Sequence, residues 1–474
     1  ILSVLLFSSL VFYCVSTQCT LSPLHQQTFF GGPGGAEGRF FLAQTQAMVH
    51  GRLWINSSQL PSDCFVAGGK CYGYFGITPS LLRLPFLPLL DHFNSGFTPV
   101  FITAGLTLAT GSFLALLRHL FSHLCVRRSS TVVVALIGVA LGAGSVLTQL
   151  SAANTYDEAI AWAVGFLSLA VYCFIRWWET QQRWTYVVLV VSLVMAANAR
   201  PTALPFAFVI GFGVGYRILM LRRDGSPDWA KSVALGGAAM VLPIATCIGV
   251  FLLKFGQPIP NLLLDESIGG RHASPVWISV RRRDQNHLVS LRFVMTALFA
   301  YLRPDAVTFS RGFPWVGFRH VCSSLSCGPI PITYVALPKG SIYSANATSL
   351  TATMPLSFVA AIGAIVYRVR MRIALQVRHL LPTLRSEAFW KIFVVVAALA
   401  SWCVTLAGVA VEDRFLGDAY PLMALLLLLG LDGLTRPLEK SGRILQLGIT
   451  LTIVAGVSWQ LLVNIGLARH VGIQ

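Results

Sequence analysis

Charge is what this sequence has least of. Only 11% of its 474 residues are Asp, Glu, Lys or Arg, against roughly 25% in a soluble domain, while 55% are hydrophobic and the mean hydropathy is +0.70. That shortage excludes a soluble fold. Acids are the scarcest charges, 18 against 35 Lys plus Arg, so the net charge is +17 and the pI about 9.8. No basic domain stands apart from the apolar segments, which argues against nucleic acid as a partner and assigns the excess to cytoplasmic loops and to lipid headgroup or lipid phosphate contacts. The sequence also lacks a glycine loop that would cradle phosphate, a convincing nucleophilic triad, a C-x-x-C metal spacing and any internal repeat. Without a repeat, a transporter built from inverted halves is disfavoured.

What is present is a series of apolar runs, near residues 1–16, 97–117, 131–151, 158–175, 184–199, 201–220, 232–253, 355–367, 391–410, 419–434 and 444–465. They predict a single polytopic domain over 1–474, an all-α membrane protein of about eleven spans. The chain opens in apolar sequence with no initiator Met and no basic residue ahead of it, so it reads as truncated or processed, and its first run as a membrane helix in preference to a signal peptide. The stretch from Trp184 to Met220 would reach roughly 55 Å as one helix, too long for a core of about 30 Å. It is expected to break at Asn198-Ala199-Arg200-Pro201, where proline cannot donate to the helix ladder and an arginine is not left facing lipid.

Threading the spans alternately places 18 of the 35 basic residues in the connections 118–128, 176–183, 217–231, 368–391 and 435–443, which are therefore expected to be cytoplasmic. The extracytoplasmic side of a plasma (inner) membrane then receives a first long segment, 20–95, a second, 254–354, and turns carrying Asp157, Arg200 and Arg414. Cys64 with Cys71 and Cys322 with Cys327 fall on that oxidising side as candidate disulfides, with reduced thiols as the alternative. Cys125, Cys173, Cys247 and Cys403 lie in or beside spans and are expected to be packed.

In the first long segment, after the glycine-rich Gly31–Gly35, the residues Phe41, Leu42, Thr45, Met48, Val49 and Leu53 recur at helical spacing and Gly51 is a stop signal. This predicts a short amphipathic helix on the membrane surface, with Glu37 at its start. For Glu37 the residues alone leave two readings open, a charge complementing the helix dipole or a catalytic acid. The strip Gly69–Pro85 places Tyr72, Tyr74 and Phe75 between Lys70 and Arg83, suited both to an interfacial belt and to sugar and phosphate binding. Asp157 and Glu158 follow Tyr156 in a tight turn, and the last turn reads Glu412-Asp413-Arg414-Phe415-Leu416-Gly417-Asp418. Acids and arginines from separate turns on one face have the composition needed to ionise a hydroxyl and neutralise a leaving phosphate. Gly138 with Gly142 and Gly211 with Gly215 predict close span packing.

An acid after the first span, the phrase Met48-Val49-His50-Gly51-Arg52-Leu53, Tyr74-Phe75-Gly76-Ile77-Thr78-Pro79 before the second span, an acid in the next outer turn, Ala199-Arg200-Pro201-Thr202 and Arg414-Phe415-Leu416 leading to Pro421 together resemble the GT-C superfamily. Its members are integral-membrane glycosyltransferases that take sugar from a polyprenyl-phosphate carrier, such as protein O-mannosyltransferases and the lipid A aminoarabinose transferase, and the wording is closest to actinobacterial members of unassigned substrate. The resemblance implies a GT-C-like bundle, Glu37 as catalytic acid with Asp157 or Glu158 as the second, and Arg200 and Arg414 on the carrier phosphate. His50, Arg52, Lys70, Tyr74, Arg83, Tyr156 and Asp418 are further candidate substrate contacts, and the run Arg281-Arg282-Arg283 reads mainly as a solvated or headgroup-touching stretch. Two departures stand out: Ala36 precedes Glu37 where many relatives have paired acids, and no soluble domain follows the last span within these residues.

The expected reaction is transfer of a sugar from a polyprenyl-phosphate donor, with inversion, to a glycan, lipid or protein acceptor at the outer face. No cofactor is required; a divalent metal is possible but not indicated, since arginines can do the charge work. The alternatives are a transporter or flippase for lipid-linked sugar and a non-catalytic membrane scaffold. The first would want critical charges near mid-span, and few are there.

Overall fold

The computed structural model describes residues 1–24, 39–56, 65–73, 75–93, 95–121, 128–151, 155–222, 229–258, 291, 294–311, 315–318, 343–344, 348–375, 389–407, 410–411, 413–439 and 443–471. Helix α1 (Leu2–Ser16) is followed by α2 (Phe40–Val49), the short antiparallel strands β1 (Phe65–Ala67) and β2 (Lys70–Tyr72), α3 (Thr78–Arg83) and α4 (Leu87–Phe93). Then come α5 (Thr98–Leu120), α6 (Arg128–Leu141), α7 (Leu147–Leu150), α8 (Thr155–Thr180), α9 (Arg183–Ala199), α10 (Leu204–Arg222) and α11 (Trp229–Phe255). The second long segment contributes α12 (Val294–Leu302), the hairpin β3 (Val307–Phe309) and β4 (Val316–Phe318), and β5 (Tyr343–Ser344). After α13 (Leu350–Thr353), α14 (Pro355–Leu375) and α15 (Phe389–Leu406), strand β6 (Ala410–Val411) pairs in parallel with β5, tying that segment to the last turn. Helices α16 (Tyr420–Glu439) and α17 (Arg443–Val471) follow.

Among the described residues seven helices are long and apolar enough to cross a membrane, and four more, Leu2–Ser16, Thr131–Leu141, Arg183–Ala199 and Pro355–Val366, are apolar but shorter. The chain is a helical, polytopic integral membrane protein. Each apolar run of the sequence falls on one of these helices, but a count of eleven crossings needs the shorter four to span too. One boundary moves: the run 131–151 stops as a helix at Leu141 and resumes as the single turn α7, and at this break Gly142 packs directly on Ser8 of α1, whose hydroxyl accepts from the Ala143 amide at 3.1 Å.

Small residues set the helix crossings, as the G-x-x-x-G spacings predicted. Helix α5 lies along α8 so closely that a Cβ at Gly165 would meet the Gly105 carbonyl oxygen at 2.6 Å. Gly211 and Gly215 of α10 face Met240 and Gly236 of α11. Polar groups inside the bundle are bonded together. The Asn464 amide of α17 donates to the Gly144, Thr353 and Gln460 carbonyls at 2.9–3.0 Å and its oxygen accepts from Gln149 Nε2 at 2.6 Å. In an apolar bundle an unpaired amide would cost several kcal/mol, which is why these four elements converge on one side chain.

Candidate active site

The alternation of helices puts the start of α8, the end of α9, the end of α11 and the start of α16 at one end of the bundle, the end predicted to be extracytoplasmic. The described helices of the first long segment pack at that end, α3 against both α8 and α9. Helix α2 terminates at His50, and Gly51 at φ +69° turns the chain back, as the stop signal predicted. It is more buried than a helix resting freely on a surface would be. Phe40, Phe41, Leu42, Ala43, Gln44, Thr45 and Ala47 are all buried, so protein covers both its polar and apolar sides. The reason is α3, whose Ser80 donates to Gln44 Oε1 at 2.6 Å and accepts, through its carbonyl, from the Thr45 hydroxyl at 3.1 Å. Phe40 and Phe41 pack edge-on against each other and on Phe75, at 4.9–5.8 Å between centroids, and Phe75 packs on Tyr156 at 5.2 Å. This aromatic cluster fixes the first turn of α2 against the first turn of α8.

Asp157 and Glu158 lie in that first turn of α8 and both are buried. Glu158 faces Arg83, and neither has any exposed side-chain surface. Arg83 Nη1 pairs with Glu158 Oε1, and Nη2 donates to Oε2 at 2.8 Å. The remaining donors go to the Gly96 carbonyl, at 3.2 Å from Nε and 3.0 Å from Nη2, and to the Pro79 carbonyl at 3.1 Å, with the guanidinium 4.1 Å from the Phe101 ring centroid. A buried ion pair is tolerable only when this fully bonded. Arg83, a candidate substrate contact, and Glu158, a candidate acid, are thus bonded to each other in this structure, and Asp157 is the carboxylate of the two that is not part of this pair.

Arg200 stands where the break was predicted, in extended backbone at φ −150°, ψ 122°, the conformation that a following proline imposes. Its Nη2 lies 3.0 Å from Asp418 Oδ2, and its guanidinium 5.0 Å from the Phe415 ring centroid. The same Asp418 oxygen accepts from the Thr405 hydroxyl at 2.6 Å. Asp418 is buried, whereas the Arg200 side chain keeps 16% of its surface open. The neighbouring Gly417 packs against Leu150 and Ile160, one turn along α8 from Asp157, and Ala199 packs with Leu42 and Trp162. Acid and arginine from separate helices thus share one end of the bundle. Arg414 lies in the 3-10 turn Asp413–Ala419, ahead of α16, and its side chain is outside the described residues.

On the rim, Arg52 and Lys70 both approach the Trp54 ring, at 4.8 and 5.7 Å, and His50 Nδ1 is 2.8 Å from the Gln46 carbonyl; all three basic residues are exposed. Glu37, Tyr74, Cys64, Cys322, Cys327 and the run Arg281–Arg283 lie outside the described residues. Cys71 is disulfide-bonded, and a disulfide joins Cys14 to Cys19 at the end of α1, which the sequence reading did not single out. Cys173 and Cys247 are buried thiols, and Cys403 is an exposed one. Among the described residues no three His, Cys, Asp or Glu side chains converge as a metal-binding group.

Sequence reasoning also passed over Lys254. This residue ends α11 and is almost wholly buried, and its ammonium donates to the Phe75 carbonyl at 2.6 Å and the Gly73 carbonyl at 3.2 Å. Gly76 next to it approaches the Asn198 carbonyl so closely that no side chain fits, and the Thr78 hydroxyl donates to the Met195 carbonyl at 2.7 Å. A lone lysine closing an apolar run was the available signal, and it reads equally as a span boundary.

No family model and no curated protein matches the chain. Among solved structures it is similar to the archaeal oligosaccharyltransferase AglB from Archaeoglobus fulgidus in complex with an inhibitory peptide and a dolichol-phosphate, at a TM-score of 0.47. It is also similar to the apo form of the A. fulgidus oligosaccharyltransferase, at 0.45. In both cases the identity is 14% over 98% of this chain, which spans 55% of the length of the solved protein.

Proposed function

We propose that the chain is a membrane glycosyltransferase that moves a sugar from a polyprenyl-phosphate carrier to an acceptor at the extracytoplasmic face of the membrane, with inversion at the anomeric carbon. The observation that carries this reading is the Arg200–Asp418 assembly. A guanidinium at the mouth of an apolar bundle is oriented by a buried carboxylate and an aromatic ring and keeps part of its surface open. An arginine so held offers a preorganised cation to a phosphate whose lipid tail stays in the bilayer, and arginine suits phosphate because it binds bidentately and stays charged. Glu37 is the proposed base for the acceptor hydroxyl and Asp157 the second acid. As the hydroxyl oxygen attacks the anomeric carbon, the proton passes to the carboxylate and the polyprenyl phosphate departs toward Arg200, with Arg414 as a second cation. One displacement gives inversion.

The test is incubation of the purified protein, in lipid nanodiscs, with labelled polyprenyl-phosphate sugars and a membrane acceptor extract, comparing wild type with Glu37→Gln, Asp157→Asn and Arg200→Lys. Transfer by wild type that Glu37→Gln abolishes while donor still raises the melting temperature supports both the reaction and its base. Transfer that survives Glu37→Gln but not Asp157→Asn moves the base to α8. If no donor is turned over but one protects the protein thermally, a carrier-binding transporter or scaffold replaces the enzyme reading.

A further inference from the structure

We propose that Arg83 and Glu158 are a positioning pair, which sets the first turn of α8, and with it Asp157, against the first long segment; this rests on the transferase reading above. Three observations converge. The pair is bidentate and sealed from solvent, and its remaining donors are taken by the Gly96 and Pro79 carbonyls, so it is built to hold two chain segments together and has nothing left for a ligand. It joins the end of α3 to the residue directly after Asp157, and successive helix residues project about 100° apart, so locking Glu158 fixes the direction in which Asp157 leaves the helix. Two further locks act on the same segment without touching the pair: Lys254 holds the carbonyls of Gly73 and Phe75, and Thr78 bonds the Met195 carbonyl near the end of α9, five residues before Arg200. Gly73, Phe75, Thr78 and Arg83 are thus bolted to α8, α9 and α11, the helices that bear Asp157 and lead to Arg200. Displacing a reacting group by about 1 Å can cost a hundredfold in rate, which makes such bolts consequential for activity.

The experiment compares Arg83→Gln, Glu158→Gln and the double variant Arg83→Gln with Glu158→Gln in nanodiscs. Each single substitution strands a buried charge, whereas the double variant replaces the ion pair by two amides that can bond each other. The expected result is a loss of about 10- to 100-fold in kcat in each single variant at near-constant donor KM, with most of it recovered in the double variant and the shape of the pH–rate profile retained. A double variant that stays folded but is as inactive as Glu158→Gln, or that loses the acid limb of the profile, would overturn the proposal and make Glu158 the reacting acid. Hydrogen exchange of the substrate-free protein gives a second reading, independent of whether transfer is found. Amides of Thr78–Leu84 and of the first turn of α8 should lose protection together in Arg83→Gln and regain it in the double variant. Unchanged protection of either segment in Arg83→Gln would refute the pairing even if wild type turns over no donor, an outcome that by itself sinks only the transferase reading.

Discussion

Gly76→Ala adds one methyl group, and the structure fixes where that methyl must go. A Cβ on Gly76 would sit on the carbonyl oxygen and carbon of Asn198, closer than unbonded heavy atoms come, with the Ala199 nitrogen at 3.1 Å. Every offending atom is backbone, so no side-chain rotation relieves the overlap. The segment cannot retreat freely either, because the Thr78 hydroxyl is bonded to Met195 and the Phe75 carbonyl to Lys254. Overpacking of this kind costs about 1–3 kcal/mol, and loss of one buried hydrogen bond adds about 0.5–1.5 kcal/mol, so the expected destabilisation is about 2–4 kcal/mol. Because Asn198 lies two residues from Arg200, the displacement should also reach the proposed phosphate contact and lower transfer about a hundredfold at temperatures where the variant is folded. The control is Gly249→Ala in the C-terminal half of α11, where a Cβ meets nothing within 4 Å and alanine gains up to about 1 kcal/mol of helix propensity. Thermal unfolding followed by tryptophan fluorescence, with donor turnover on the same samples, reads both effects. If Gly76→Ala melts with Gly249→Ala and turns over like wild type, the close approach does not exist and the packing of the first segment on α9 is misassigned.

Three further outcomes follow from the same geometry. Lys254→Met keeps the buried stem but strands the Gly73 and Phe75 carbonyls; a loss of about 2–4 kcal/mol is expected in thermal unfolding, with transfer falling alongside it. Arg200→Lys should lower kcat/KM for the donor about 10- to 100-fold, since a point charge cannot both meet Asp418 and present a fork to phosphate, while Asp418→Asn should weaken turnover with less effect on thermal stability than Lys254→Met; equal loss in all three would point to general unfolding. Asn464→Leu removes a side chain that joins four elements, and should cost at least about 3 kcal/mol with no change in turnover at permissive temperature, because that network lies outside the proposed site.

By itself the sequence determined the solvent and the elements. A run of apolar residues long enough to cross a bilayer has few alternatives to a helix, so composition placed the spans, and the proline after Arg200 dictated both the break and the extended backbone there. Gly51 as the end of α2 was equally legible, because a left-handed residue after a helix is a local matter. Partners were not legible. Two adjacent acids, Asp157 and Glu158, look alike in sequence, and only the fold brings Arg83 from 75 positions away onto one of them and so decides which is held in that ion pair. The same holds for Lys254, whose carbonyl partners are about 180 residues earlier in the chain, and for α2, whose spacing shows an amphipathic helix but not that α3 packs on it. Helix formation and hydropathy are set by neighbours along the chain and by the bilayer, whereas the fate of a buried charge is set by whatever group the tertiary structure places opposite it.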